Sequence, residues 1–270
     1  MSATIEHYSG SGPVASALAA LEAAGFGSGP LTLDEVGALA EFHTAGRAAT
    51  LTLADAAGVT EGMRVLDAGA GAGGPALVLA AHYGCTVTAL DLTPEFCRLA
   101  EIFAERTGLA GRVTVVEGNV LSTPFADASF DAVWSQHVQM NIEDKGGLYR
   151  ELRRVLVDGG TLAFWDIVAG DGTLIHIPVP WASDPTQSFL AGFDELRETV
   201  RGAGFEERLA EDGTDEAIAF VELMGERMKD GPPPLGVHVL VPGWQTKFAN
   251  FAQNLVEGKI RLLRGVYSAA

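Results

Sequence analysis

The sequence predicts an α/β chain with a doubly wound, mostly parallel sheet, and three observations carry that prediction. The first is the stretch Val65 to Ala80, VLDAGAGAGGPALVLA, in which an apolar run ends on Asp67, turns through glycines 69, 71, 73 and 74, and re-enters an apolar run after Pro75. A strand that feeds a helix through a Gly-rich turn opens a nucleotide-binding βαβ unit, because glycine takes φ > 0 and lets a ligand lie against the backbone. The second is the alternation of strand-like and helix-like segments from Met63 to Val168, the rhythm of a sheet with helices on both faces. The third is that the first two strands both end on an acid, Asp67 and Asp91.

Residues 1–60 are rich in Ala and Leu and show no strand-like alternation. Val14 to Ala24 reads as a helix stopped by Gly25 and Gly27. Leu33 to Phe42 reads as a second, with Asp34 and Glu35 in the first turn, where negative charge favours the helix dipole. Arg47 to Ala57 reads as a third, ending at Gly58. This helical layer is expected to cover the ligand site of a core spanning 61–270.

In that core the spacing predicts β1 at Val65–Asp67, a helix at Pro75–Tyr83 and β2 at Cys85–Leu90. Thr93 is placed to cap the next helix, with Pro94 at its first position, and Phe96, Leu99, Ala100 and Phe103 line one face of it. Val113–Val116 is β3, followed by Gly118-Asn119. Phe130–Trp134 is β4, followed by a polar turn at Ser135-Gln136-His137. Leu148, Leu152 and Val155 mark a helix that stops before Gly159-Gly160, and Thr161–Val168 is β5. Past Ala169 the rhythm changes. Residues 170–190 are loop-like, Leu196 to Ala203 is a helix, and Phe205–Ala210 is a strand. An acidic helix runs from Thr214 to Met228, three prolines at 232–234 break the chain, and Trp244 to Val256 is helical again. The segments 170–190 and 214–257 are expected to close over the substrate side.

The net charge of −17 repels phosphate backbones and argues against a nucleic-acid partner. No apolar run reaches the ~18 residues of a membrane span. The opening MSATIEHYSG lacks the basic start and apolar core of a secretory leader, so a cytoplasmic location is expected. Cys85 and Cys97, the only cysteines, have neither disulfide nor metal spacing, and no metal is expected.

Ligands of open α/β sheets bind at the carboxyl ends of the strands. Those ends are Asp67 to Gly71 with Ala70 between the glycines, Asp91-Leu92, Gly118 to Val120, Gln136-His137 and Asp166. Asp91 is placed to accept hydrogen bonds from ribose hydroxyls, and Asn119 offers an amide to an adenine edge. That pattern suits a dinucleotide or another adenosine ligand. No Lys or Arg occurs between residues 65 and 97, so a cationic, phosphate-poor adenosine ligand fits better.

Asp67-x-Gly69-x-Gly71-x-Gly73, Asp91, Gly118-Asn119 and VLVDGGTLAF together resemble the class I S-adenosylmethionine-dependent methyltransferases. The resemblance implies S-adenosylmethionine as cofactor and a seventh, antiparallel strand, placed at Ile260–Tyr267. AEFHTAGRAATL at 40–51 and SQHVQMNI are similar to the branch of sarcosine/dimethylglycine and phosphoethanolamine N-methyltransferases. In that branch the segment matching His43-Thr44 closes over the donor's carboxylate, and a tyrosine matching Tyr8 covers the donor. The histidine that partners the tyrosine in the phosphobase enzymes is replaced here by Asn141.

Methyl transfer from a sulfonium is an in-line displacement that needs alignment above all. A base is needed only if the acceptor must lose a proton. His137 is the candidate base, or else an uncharged group that orients the substrate. Asp166 offers a second base or an ammonium site, or else a loop anchor, and Tyr8 offers an oxygen near the methyl group. The expected partner is a small-molecule acceptor, an amine or natural-product metabolite, and a homodimer is left open. Three other functions remain: a dinucleotide oxidoreductase, which Asp67 and the lack of a hydride-transfer acid argue against; a donor-binding enzyme catalysing cyclisation or decarboxylation; and a ligand-binding regulator.

Overall fold

The computed structural model describes residues 7, 8 and 12–270. The opening segment read above for a leader lies outside the described residues apart from His7 and Tyr8. Seven strands, β1 (Arg64–Ala68), β2 (Thr86–Asp91), β3 (Val113–Glu117), β4 (Phe130–Gln136), β5 (Leu156–Ala169), β6 (Phe205–Asp212) and β7 (Ile260–Ala269), form one sheet in the order β3-β2-β1-β4-β5-β7-β6. The first five run parallel, and β7 inserts antiparallel between β5 and β6. The strand order reverses between β1 and β4, which opens a crevice at their carboxyl ends.

The helices follow the apolar pattern of the sequence. They are α1 (Pro13–Ala23), α2 (Leu33–Ala40), α3 (Gly46–Ala57), α4 (Gly74–Tyr83), α5 (Pro94–Arg106), α6 (Lys145–Val155), α7 (Phe193–Gly202), α8 (Thr214–Arg227) and α9 (Trp244–Val256). Successive residues of β1 serve opposite faces. Val65 belongs to the core cluster that holds Leu53, Leu77 and Phe103 from the helices on one side, and Leu66 to the cluster with Leu148, Leu152 and Leu196 on the other. Both faces of the strand are therefore buried, as a parallel sheet under two helical layers requires. Among the described residues no helix is long and apolar enough to cross a membrane.

Four local expectations are corrected. Ser135 and Gln136 belong to β4, paired to Phe164 and Trp165, so only His137 begins the turn. β5 starts at Leu156 rather than Thr161, because Val157 to Gly160 are absorbed as an irregularity against β4, with Gly159 at φ 73°. α2 ends at Ala40, two residues early. Thr93 stands at the N-cap but its hydroxyl accepts no capping bond, because its side chain, like its N–H at 2.8 Å, turns to the Asp91 carboxylate. A cap the sequence reading overlooked is Thr32, whose Oγ1 accepts from the Glu35 N–H while Glu35 Oε2 accepts from the Thr32 N–H.

Candidate active site

A cavity of about 500 Å³ opens at the carboxyl ends of β1, β2 and β4. On the sheet side its wall is the Gly-rich turn with the strand-end acids. Gly71, at φ 53°, would direct a side chain into open space, so the glycine leaves backbone accessible to a ligand. Gly69 serves packing instead: a Cβ there would stand 2.5 Å from Val138, on the turn after β4.

Two carboxylates, the buried Asp67 and the half-buried Asp91, set the electrostatics of this wall. Asp91 is held by the Gly71 N–H on Oδ2 and the Thr93 N–H on Oδ1, each at 2.8 Å. Burial nevertheless raises its pKa, as desolvation disfavours the charged form. Asp67 is 1% exposed and pushed up to about 7, chiefly by burial and then by the Asp91 charge. Its Oδ2 has no hydrogen-bond partner among the described residues. An orphaned buried acceptor beside a second carboxylate calls for hydroxyl or ammonium donors, and repels phosphate. Leu92, Asn119 and Val120 continue the wall, with Asn119 Oδ1 accepting the Leu121 N–H at 3.0 Å.

The N-terminal layer supplies the opposite side. Tyr8 donates to Asn141 Oδ1 at 3.3 Å and tilts against Phe96. Burial raises its pKa, so the phenol stays protonated. His43 is pulled down to about 4 by burial and is bound at Nε2 to the Gly46 carbonyl (2.8 Å) and the Thr50 hydroxyl. The Thr44 carbonyl accepts from Trp165 Nε1 at 3.0 Å, which pins this segment to β5. Gln136 receives Trp134 Nε1 (2.8 Å) and the Thr50 hydroxyl (2.9 Å) on Oε1. Its Nε2 is left without a partner among the described residues.

His137 sits just past β4 at φ 55°, a left-handed conformation that few non-glycine residues hold. Its Nε2 lies 3.3 Å from the Thr44 hydroxyl and 3.5 Å from the Thr44 N–H. A backbone N–H can only donate, so Nε2 is the unprotonated nitrogen in this geometry. Burial holds the imidazole pKa well below its usual value, with the nearby His43 adding to the effect. His137 is thus a neutral ring aligned by Thr44.

The structure brings together Tyr8, His43, Thr44, Asp67, Gly69, Ala70, Gly71, Asp91, Leu92, Asn119, Val120, Gln136 and His137. Asp166 is the exception. Its carboxylate is taken by the N–H groups of Val138, Gln139 and Ile167 at 3.0–3.1 Å, and it does not line the cavity. Pushed up to about 6 by burial, it anchors the turn after β4 rather than acting as base. Phe189 and His238, which belong to the two segments expected to close over the substrate side, are also outside the lining.

Sequence reading missed several wall residues. Phe220, Val221, Met224 and Met228 of the acidic α8 segment line the cavity, and their spacing of one helix face was available in the sequence. His7 and Lys247 also line it, and neither had a local signal.

Sheet order, Gly-rich turn and paired strand-end acids define the class I methyltransferase architecture. Residues 66–164 match the family model described as a methyltransferase domain. Over 177 residues it is 33% identical to a sterol 24-C-methyltransferase of Gibberella zeae, covering 62% of this chain and 46% of that protein. Over 150 residues it is 34% identical to the sarcosine/dimethylglycine N-methyltransferase of Halorhodospira halochloris, covering 56% and 54%. The chain thus spans about half the length of these curated relatives. Its fold is shared by phosphoethanolamine N-methyltransferase 2 of Haemonchus contortus, with a TM-score of 0.73 at 19% identity over 93% of this chain and 59% of that one.

Proposed function

We propose that this chain transfers a methyl group from S-adenosylmethionine to a small-molecule acceptor by in-line displacement. The observation that carries the reading is the wall of two carboxylates, the buried Asp67 and the half-buried Asp91, beside Gly71, where a side chain would meet open space. It suits a ligand rich in hydroxyl and ammonium donors and poor in phosphate. When bound, S-adenosylmethionine supplies a methyl group already activated by its sulfonium.

The chain's own residues bind, orient and exclude water. Asp91 accepts the ribose hydroxyls, Asn119 and Val120 meet the adenine, and Asp67 with the Gly69–Gly71 backbone faces the donor's cationic end. Thr44 and Gln136 offer donors to its carboxylate, and Gln136 does so with an amide whose oxygen is already fixed by two bonds. Tyr8 and the described residues of the helical layer, 12–60, cover the donor, while 170–190 and 214–257 enclose the acceptor. His137 orients the acceptor as a neutral group. Holding nucleophile and methyl in line supplies most of what such a displacement needs, and enclosure by apolar walls strengthens every electrostatic contact inside. Two buried, unpaired cysteines suit a reducing cytoplasm, and light scattering decides between monomer and homodimer.

The test is calorimetric titration with S-adenosylmethionine, S-adenosylhomocysteine and NAD. The first two are expected to bind and NAD is not. Binding of NAD alone overturns the assignment.

A further inference from the structure

α9 carries an apolar stripe, Trp244, Phe248, Phe251 and Leu255, that a cation interrupts. Lys247 lies one turn from Trp244 on the same side, is 8% exposed and lines the cavity. Among the described residues no hydrogen bond and no carboxylate reaches its ammonium, and its pKa is lowered by burial alone. It is the only Lys or Arg in the cavity wall among the described residues. Trp181, Trp244, Phe248 and Phe251 line the same cavity, with Trp244 and Phe251 one turn before and after Lys247 on α9 and Trp181 edge-on to Phe251 at 6.1 Å. A charge so placed is costly unless an opposite charge joins it.

His7 is the nearest candidate for a second cation, and it is not one. Its Nε2 lies 2.9 Å from the Pro180 carbonyl, which requires an N–H there, and its Nδ1 lies 3.3 Å from the Ser183 hydroxyl. Both nitrogens of a neutral ring are thereby satisfied, and burial together with the Lys247 charge pulls its pKa down while Asp184 opposes this. His7 stands edge-on to Tyr8 at 4.9 Å, so the Lys247 end of the chamber adjoins the donor cover.

We infer that Lys247 is the recognition group for a methyl acceptor with an apolar body and a single carboxylate. One ammonium among aromatic walls balances a monoanion. A phosphate or diphosphate would bring more negative charge than this end can compensate, in a cavity that already holds Asp67 and Asp91. A cationic amine without a carboxylate would meet Lys247 as a like charge. The inference rests on the methyltransferase reading of the chamber, but carboxylate binding is measurable without turnover.

Calorimetry with the full chain saturated by S-adenosylhomocysteine tests it, using decanoate, decanol, decylamine and decyl phosphate as probes. Decanoate is expected to bind about tenfold or more tighter than decanol, as a charge-assisted contact adds to the same apolar burial. In Lys247→Met this preference disappears while decanol affinity and S-adenosylhomocysteine affinity hold. The thermal midpoint of that variant stays level or rises, because a buried unpaired charge is removed. Lys247→Gln, which keeps a donor without charge, is the second variant and is expected to lose most of the preference. Equal binding of acid and alcohol by the native chain, an undiminished preference in both variants, or tighter binding of decyl phosphate overturns the inference. Failure of S-adenosylhomocysteine to bind strikes the methyltransferase reading instead, and the acid-to-alcohol comparison on the unliganded chain still decides the role of Lys247.

Discussion

Asp91→Asn perturbs the donor site at one atom. A carboxylate offers about four acceptor positions over its two oxygens. The Gly71 and Thr93 N–H groups occupy one on each oxygen, and the Thr93 side chain and Leu92 N–H also approach the carboxylate, so a ribose diol shares the remaining positions. Asparagine keeps only one oxygen. The variant therefore loses one charge-assisted hydrogen bond to the donor, about 1.5–3 kcal/mol, or roughly 10- to 150-fold in Kd. One of the two backbone N–H groups also faces an NH₂ instead of an acceptor, which costs about 1–3 kcal/mol of stability for a buried, unsatisfied donor. Calorimetric titration with S-adenosylhomocysteine, run at a temperature where both proteins are folded by circular dichroism, separates the two effects. A Kd within about twofold of the native chain, under ~0.5 kcal/mol, would falsify the ribose assignment.

Three further outcomes follow from the same geometry. Asp67 titrates at about 7 in the folded chain and near ~4 when unfolded, so between those values the folded state holds a proton the unfolded state has released. Stability of the unliganded protein is expected to fall as pH rises through that window, with Asp166 contributing up to about 6. Thermal unfolding across pH should show a shallower slope for Asp67→Asn, and an unchanged slope counts against the buried-acid reading. His137→Asn is expected to raise the acceptor KM while kcat falls less than about tenfold, since a ring held neutral well below its usual pKa is a poor base. A kcat loss of ~10²-fold or more with unchanged KM makes it the base after all. Deleting residues 1–12 removes His7 and Tyr8 from the cavity wall and should leave a folded protein that binds donor weakly and turns over little. Full activity of that truncation shows the N-terminal cover is not part of the site.

The parallel core was legible because each strand announced itself twice, by an apolar run and by a ligand-side residue at its end. β2 ended on Asp91 where expected, β1 ran one residue past Asp67 to Ala68, and the antiparallel β7 lay where the family resemblance put it. Local chemistry misled where tertiary partners claimed a residue. Gly159-Gly160 correctly followed the end of a helix but was read as lying before β5, and it is an irregularity inside that strand. Thr93 had the right type and place for a cap, but Asp91 took its side chain. Asp166 was recognised as a strand-end acid, yet its role depends on the N–H groups of Val138 and Gln139, whose approach no spacing in the sequence discloses. The acceptor wall was half legible. Its segments were identified from the break in rhythm after Ala169, while Lys247 gained its meaning only from the aromatic residues folded around it.

The central claim is methyl transfer, and isotopically labelled donor tests it most directly. The chain is incubated with S-adenosylmethionine carrying a labelled methyl group and a pool of apolar carboxylic acids and amines, and the mixture is resolved by mass spectrometry. The account predicts a product heavier by one labelled methyl group, formed in equal amount with S-adenosylhomocysteine. A product isomeric with its substrate, or lighter by carbon dioxide, with the labelled donor intact contradicts it.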